Sequence, residues 1–210
     1  MKVALINGSP KFKNSSSGVL LENLKRCLGT NAEISEYCFR TSAISNEVIE
    51  ELKTVDAWVI AYPLYVDGVP GHLLSCLVQL EEAHLQKPEI HVYGIANCGF
   101  YEGVQAEFSL HILRNWCAKM GIVWGGGLGI GAAGGLAVLQ NLKPGFGPKA
   151  PIEKALNLLA DTILKKETIE DKYLSLAIPR FVYKACVHAI WRRDIKANGG
   201  KISDLGKIPE

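Results

Sequence analysis

Three short stretches carry residue types that could do chemistry. The first is Gly8-Ser9-Pro10-Lys11-Phe12-Lys13-Asn14-Ser15-Ser16-Ser17, which follows an apolar run and precedes a helical pattern. Its hydroxyls and the N–H groups of a helix start can surround a phosphate, and the helix dipole favours the negative charge. The Gly-Lys-Ser/Thr ending of a Walker loop is missing. One capping serine would account for one hydroxyl; four serines, an asparagine and two lysines exceed that need. The second stretch, Ala61-Tyr62-Pro63-Leu64-Tyr65-Val66-Asp67-Gly68-Val69-Pro70, is apolar and aromatic. Such a loop can wrap a flat ring while backbone groups meet the ring's polar edge. The third, Asn97-Cys98-Gly99-Phe100-Tyr101-Glu102-Gly103, combines glycines that allow close backbone approach with aromatics that can stack. Each of the last two, taken alone, fits an ordinary turn.

The elements that must position these stretches follow from periodicity. Val3-Ala4-Leu5-Ile6 reads as a strand buried on both faces. Leu20, Leu24, Cys27 and Leu28 recur on one helix face. Residues 32–38 make a weaker strand with the charged positions of a sheet edge, and Val48, Ile49 and Leu52 mark a short helix. Ala57 to Ala61 is a second buried strand, after which Pro70 opens a helix carrying Leu73, Leu74, Leu77 and Val78. Ile90 to Ala96 is a strand, Phe108 to Met120 a helical stripe, Ile122-Val123-Trp124 a fifth strand, and Ile152 to Ile163 a fifth helix. Five such units in about 165 residues imply a doubly wound parallel sheet with helices on both faces. Ligands of such sheets bind outside the C-terminal strand ends, which selects loops 8–17, 62–70, 97–103 and 125–147.

Composition narrows the function classes. The chain has 210 residues, 48% hydrophobic and 21% charged, with a net charge of +2. That length suits one domain with an appendage, and the charge gives no electrostatic reason to expect nucleic acid. The six cysteines are scattered with no CxxC pair, and the five histidines (72, 84, 91, 111 and 188) have no metal spacing, so no metal site is expected. Reduced thiols fit a cytoplasmic protein, and the first residues lack the apolar run of a signal peptide. Gly121 to Leu142 is uncharged but glycine-rich, and reads as a strand entering a flexible loop rather than as an integral membrane segment. Within it Gly129-Ile130-Gly131-Ala132-Ala133-Gly134 matches GxGxxG, yet no second strand with an acidic end follows, so a flap or interface loop is the better reading than a dinucleotide fingerprint. Residues 168–210 form a basic helical extension, with Leu174, Ile178, Phe181, Val182, Ala185, Ala189 and Ile190 on one stripe. It can cover its own domain, a second subunit or a membrane surface.

Taken together, Gly-Ser-Pro-Lys with its serines, Tyr-Pro-Leu-Tyr-Val-Asp-Gly-Val-Pro and Asn-Cys-Gly-Phe-Tyr-Glu-Gly resemble the FMN sites of flavodoxin-like NAD(P)H-dependent FMN and quinone reductases. The resemblance covers about residues 1–165 and implies a flavodoxin-like five-stranded sheet of order 2-1-3-4-5, an FMN-binding domain at 1–167 and a C-terminal extension at 168–210. By that resemblance Ser9, Lys11, Ser15, Ser16 and Ser17 hold the FMN phosphate. Pro63, Leu64, Tyr65, Val66, Asp67 and Gly68 pass along the ribityl chain and one edge of the isoalloxazine, and Asp67 contacts the ribityl hydroxyls. Asn97, Cys98, Gly99, Phe100, Tyr101 and Glu102 supply the other edge. Tyr65 and Tyr101 stand beside the reacting face, where they position nicotinamide or acceptor. The implied activity passes hydride from NAD(P)H through FMN to a quinone or other small acceptor. The implied assembly is a homodimer whose second subunit closes the pocket. The alternative is a flavodoxin-type electron carrier without NAD(P)H turnover; such carriers are usually strongly acidic, and this chain is slightly basic. A flavodoxin-like module that has lost FMN is a third reading, against which the serine-rich loop speaks.

Overall fold

Alternation along the strands decides which side chains face which helices. In the computed structural model, which describes residues 1–83, 89–139 and 145–207, the strands are β1 (Lys2–Asn7), β2 (Glu33–Cys38), β3 (Ala57–Pro63), β4 (His91–Asn97), β5 (Val123–Ile130) and β6 (Lys172–Leu174). They pair in parallel in the order β2-β1-β3-β4-β5-β6. The helices of the same unit are α1 (Ser16–Leu28), α2 (Asn46–Thr54), α3 (Gly71–Glu82), α4 (Glu107–Met120), the single turn α5 (Leu136–Leu139) and α6 (Ala150–Lys165). Ala4 and Ile6, Trp58, Ile60 and Tyr62, and Val92 and Ala96 join one core with α2, α3 and α4. The opposite parity, Val3, Leu5, Val59 and Ile95, is equally buried, and α1 packs against α6. Two indoles in the first core keep their N–H groups satisfied: Trp58 donates to Leu52 O and Trp116 to Leu77 O, both at 3.1 Å. That removes the cost of burying an unpaired donor.

The flavodoxin-like α/β class expected from the sequence is present, but the sheet has six strands rather than five. The sixth is held from outside its own three residues. Ile169 N–H donates to Gly125 O at 2.9 Å, and the Tyr93 hydroxyl donates to Glu167 O at 2.8 Å. The Asp171 carboxylate accepts the Trp124 indole N–H at 3.1 Å and pairs with Arg114 at 2.6 Å. A strand this short shows no period in sequence, so only its latches reveal it.

The chain divides into two units, Met1–Ala177 and Ile178–Glu210. Residues 168–177, β6 among them, thus sit in the first unit with the expected 1–167. The second contains α7 (Arg180–Ala197) and a 3₁₀ turn, Ile202–Gly206. No residue of α7 is buried. No helix among the described residues is long and apolar enough to cross a membrane, and no group of three potential metal ligands occurs among them.

The glycine run expected to be a flap or an interface loop is instead strand β5 through Ile130, a correction with a steric cause. A Cβ on Gly125 would collide with the Tyr93 ring, one on Gly129 with the Tyr173 ring, and one on Gly131 with the backbone of Tyr101 to Gly103. Aromatic rings and a neighbouring main chain fill the space that side chains would take. Gly129 and Gly131 lead into a 3₁₀ turn, Ala133–Gly135, not into the long helix of a dinucleotide fingerprint. The part of the expected loop at 140–144 lies outside the described residues, as does His84.

Candidate functional site

The serine loop leaves β1 at Asn7, whose amide organises it. Asn7 Oδ1 accepts the Ser9 N–H at 3.0 Å, and Asn7 Nδ2 donates to Ser15 Oγ at 3.4 Å. Ser9 Oγ in turn accepts the Lys11 N–H at 3.3 Å. Ser15 caps α1 by accepting the Gly18 N–H at 3.0 Å. The N–H groups of Ser16 and Ser17 open the helix, where an α-helix has no internal acceptor for them. Gly8 packs close to α3: a Cβ there would meet Leu73 Cδ2 at 2.6 Å. Its carbonyl meets His72 Nε2 at 3.1 Å, so the histidine at the start of α3 is turned onto the loop. Beside the loop lies a cavity of about 470 Å³, walled by Phe12, Asn14 and Ser15 and reaching along α1 to Arg26.

The serines divide by task. Ser9 and Ser15 accept hydrogen bonds, which leaves each hydroxyl proton available to a bound anion. Ser16 donates its proton to Ala133 O at 3.0 Å, tying α1 to the turn after β5. Ser17, almost fully buried, accepts from Asn97 Nδ2 at 2.8 Å. The Lys11 side chain is exposed at the loop's rim.

Across the switch from β3, residues 64–68 form a tight two-residue turn. Tyr65 and Gly68 exchange both backbone hydrogen bonds at 3.1 Å. Val66 (φ 48°) and Asp67 (φ 59°) both adopt the left-handed conformation, the requirement of a type I′ turn. For a β-branched valine that conformation is strained. Val66 is fully exposed and Tyr65 half exposed, while Pro63 and Leu64 are partly buried. Leu64 N–H donates to Asn97 O at 2.8 Å, which binds this loop to the end of β4.

Asn97 is the junction of all three stretches. Its side-chain nitrogen donates to Ser17 Oγ and to Tyr62 O, both at 2.8 Å, and its carbonyl accepts from Leu64. Beyond it, Cys98 N–H donates to Ile130 O, Ala133 N–H to Cys98 O and Ala132 N–H to Phe100 O. The Tyr101 carbonyl accepts from the Ser175 hydroxyl at 2.5 Å. Burial pushes the Cys98 thiol up, and its S–H points to the carbonyls of Phe100 and Glu102 at 3.9 Å. Its buried side chain packs the loop against those two carbonyls. Phe100, on the loop after β4, stands 57% exposed, and a Cβ on Gly99 would meet nothing within 4 Å. Tyr101 and Glu102 are partly buried.

These groups fit FMN. Ser9, Ser15, Lys11 and the first amides of α1 can take a phosphate. Residues 63–68 and 97–102 offer backbone polar groups, exposed aromatics and open space at Gly99 for a flat ring. Sequence reasoning missed Asn7, hidden in an Asn-Gly pair that reads as a plain turn. It also missed Ser175, just after the edge strand β6, and the Ala133 carbonyl, in the turn after β5, neither of which carries a local signal.

A family model described as NADPH-dependent FMN reductase matches residues 1–150. No curated protein sequence matches the chain significantly. Solved structures agree in fold. An NADH:FMN oxidoreductase (EMOB, apo form) superposes with a TM-score of 0.59 at 17% identity, covering 80% of this chain and 90% of that one. A short-chain flavodoxin associated with a non-canonical PDU bacterial microcompartment gives 0.56 at 14%, covering 80% and 100%. An azoreductase from Bacillus anthracis str. Sterne gives 0.54 at 13%, covering 79% and 99%. The loop geometry and the family match agree: the chain belongs to the NADPH-dependent FMN reductases, a family that binds FMN and draws its electrons from NAD(P)H.

Proposed function

We propose that this protein is an FMN-dependent oxidoreductase that takes hydride from NAD(P)H and reduces a quinone or another small acceptor, working as a homodimer in the cytoplasm. The observation that carries the reading is the convergence on Asn97. One buried amide joins the serine loop, the aromatic turn and the loop after β4 at a single sheet end. When bound, FMN supplies the ring that accepts and returns the hydride. The chain's own groups bind and orient. Ser9, Ser15 and the α1 amides hold the phosphate, with Lys11 adding charge at the rim, while Ser16 and Ser17 fix the loop's shape. Pro63 to Gly68, with Asp67 toward the ribityl hydroxyls, border one side of the flavin, and Asn97 to Glu102 border the other. Tyr65 and Phe100, exposed on those loops, offer faces against which nicotinamide or acceptor stacks. Tyr101, its carbonyl fixed by Ser175, borders the same space. The binding domain is the sheet unit, and the extension after it lies outside the flavin-holding set.

An anaerobic visible spectrum of FMN-reconstituted protein tests this. Rapid bleaching of bound flavin by NADPH or NADH is the expected result. A bound flavin that stays oxidised with both donors would instead make the protein an electron carrier. Failure to retain flavin would remove the assignment of the serine loop.

A further inference from the structure

Arg40 lies two residues beyond the end of β2 and reaches the serine loop at Phe12. Its neighbour Phe39 donates an N–H to Asn7 O at 2.9 Å, which brings the end of β2 to the point where the chain leaves β1. The guanidinium lies over the Phe12 ring, 5.0 Å from its centroid. Phe12 belongs to the serine loop and walls the cavity that also reaches Asn7 and Ser15. Arg40 Nε is buried without a hydrogen-bond partner, the one such side-chain atom among the described residues. The cavity's one lining carboxylate, Glu22, is already paired with Arg26 at 3.3 Å.

A guanidinium over an aromatic ring, with one buried donor that has no protein acceptor, favours an anion. The surroundings add to that preference: Lys11 and Lys13 flank Phe12 in sequence, and the positive end of α1 opens beside it. We propose that Arg40 is a further phosphate-binding residue of this site, a counter-ion for the FMN phosphate that Phe12 holds in position. The inference rests on the FMN reading above. Phe12 then has a defined task, to hold the guanidinium beside the cavity that it walls.

The test compares FMN with riboflavin, which differ at the phosphate, by quenching of flavin fluorescence at low and high salt. Arg40→Met keeps side-chain length and removes the charge. It is expected to weaken FMN binding about tenfold, to leave riboflavin binding within about twofold, and to flatten the salt dependence of FMN affinity. Arg40→Lys recovers much of the salt dependence, and Phe12→Leu gives an intermediate loss for FMN. Equal losses for both flavins, an unchanged salt dependence, or full FMN affinity in Arg40→Met would each overturn the proposal. A wild-type protein that binds neither flavin would instead bring down the FMN reading itself.

Discussion

Glycines on and just after β5 look like the loop glycines Gly71 and Gly99 in sequence and behave as their opposites in the fold. At Gly125, Gly129 and Gly131 the space for a side chain is filled by the Tyr93 ring, the Tyr173 ring and the main chain of residues 101–103. At Gly99 and Gly71 it is empty. The first group lets the protein pack against itself, and the second leaves room for something that is not protein. What a missing Cβ would touch, rather than the density of glycine, marks the run through Gly131 as structural.

The sharpest way to break this contrast is a methyl group on each side of it. Gly131→Ala drives a Cβ into backbone that cannot move aside and is expected to lower unfolding stability by about 3 kcal/mol, read by urea denaturation. A loss below ~1 kcal/mol would mean that the turn after β5 yields freely. Next in size is Asn97→Ala. It leaves Ser17 Oγ and Tyr62 O without their donor and is expected to cost about 2 kcal/mol. FMN affinity should fall with it in a fluorescence titration, because two loops lose their common anchor.

Gly99→Val tests the open side. Stability should stay within ~0.5 kcal/mol of wild type, while FMN affinity drops about tenfold as the side chain enters the ring's space. Unchanged FMN affinity would place the flavin elsewhere. Smaller still is Val66→Asn, which suits a left-handed turn position better than valine and should raise stability by ~0.5 kcal/mol in thermal melts. A lower melting temperature would show that the exposed valine is held by contacts beyond this chain.

The thiols give the mildest comparison. Burial pushes Cys117 up to about 12, with Cys98 and Cys76 raised by the same cause. A raised thiol pKa keeps the unreactive protonated form through neutral and mildly alkaline pH, and only the thiolate alkylates. Iodoacetamide at pH 8 should therefore label the exposed Cys38 and Cys186 first and Cys117 last, as peptide mass analysis would show.

Much of this arrangement is written locally. Val3 to Ile6 and Ala57 to Ala61 declare buried strands, and Ser15 and Pro70 mark helix starts at the very loops that gather at one sheet end. The rest depends on partners distant in sequence. Ser16 and Ser17 look interchangeable with Ser9 and Ser15 until Ala133 and Asn97 claim them. Strand β6 is three residues of no period, made a strand by Asp171, Trp124 and Arg114. Arg40 follows a weak edge strand and gains meaning only over Phe12. The glycines of β5 suggested mobility because the rings that fill them lie on other strands.

Strand β6 also sets an order of events during synthesis. Leu174 O accepts the Gly131 N–H at 2.8 Å, and Ser175 caps the Tyr101 carbonyl. A nascent chain that has emerged only through α6 carries every loop expected to meet flavin, yet its β5 is a bare edge, glycine-rich and open to pairing with another chain. At ordinary elongation rates of about 5–20 residues per second, the following dozen residues close that edge within a second or two. A nascent chain arrested after α6 has emerged but before β6 has would keep β5 as an open edge, one short strand away from closure.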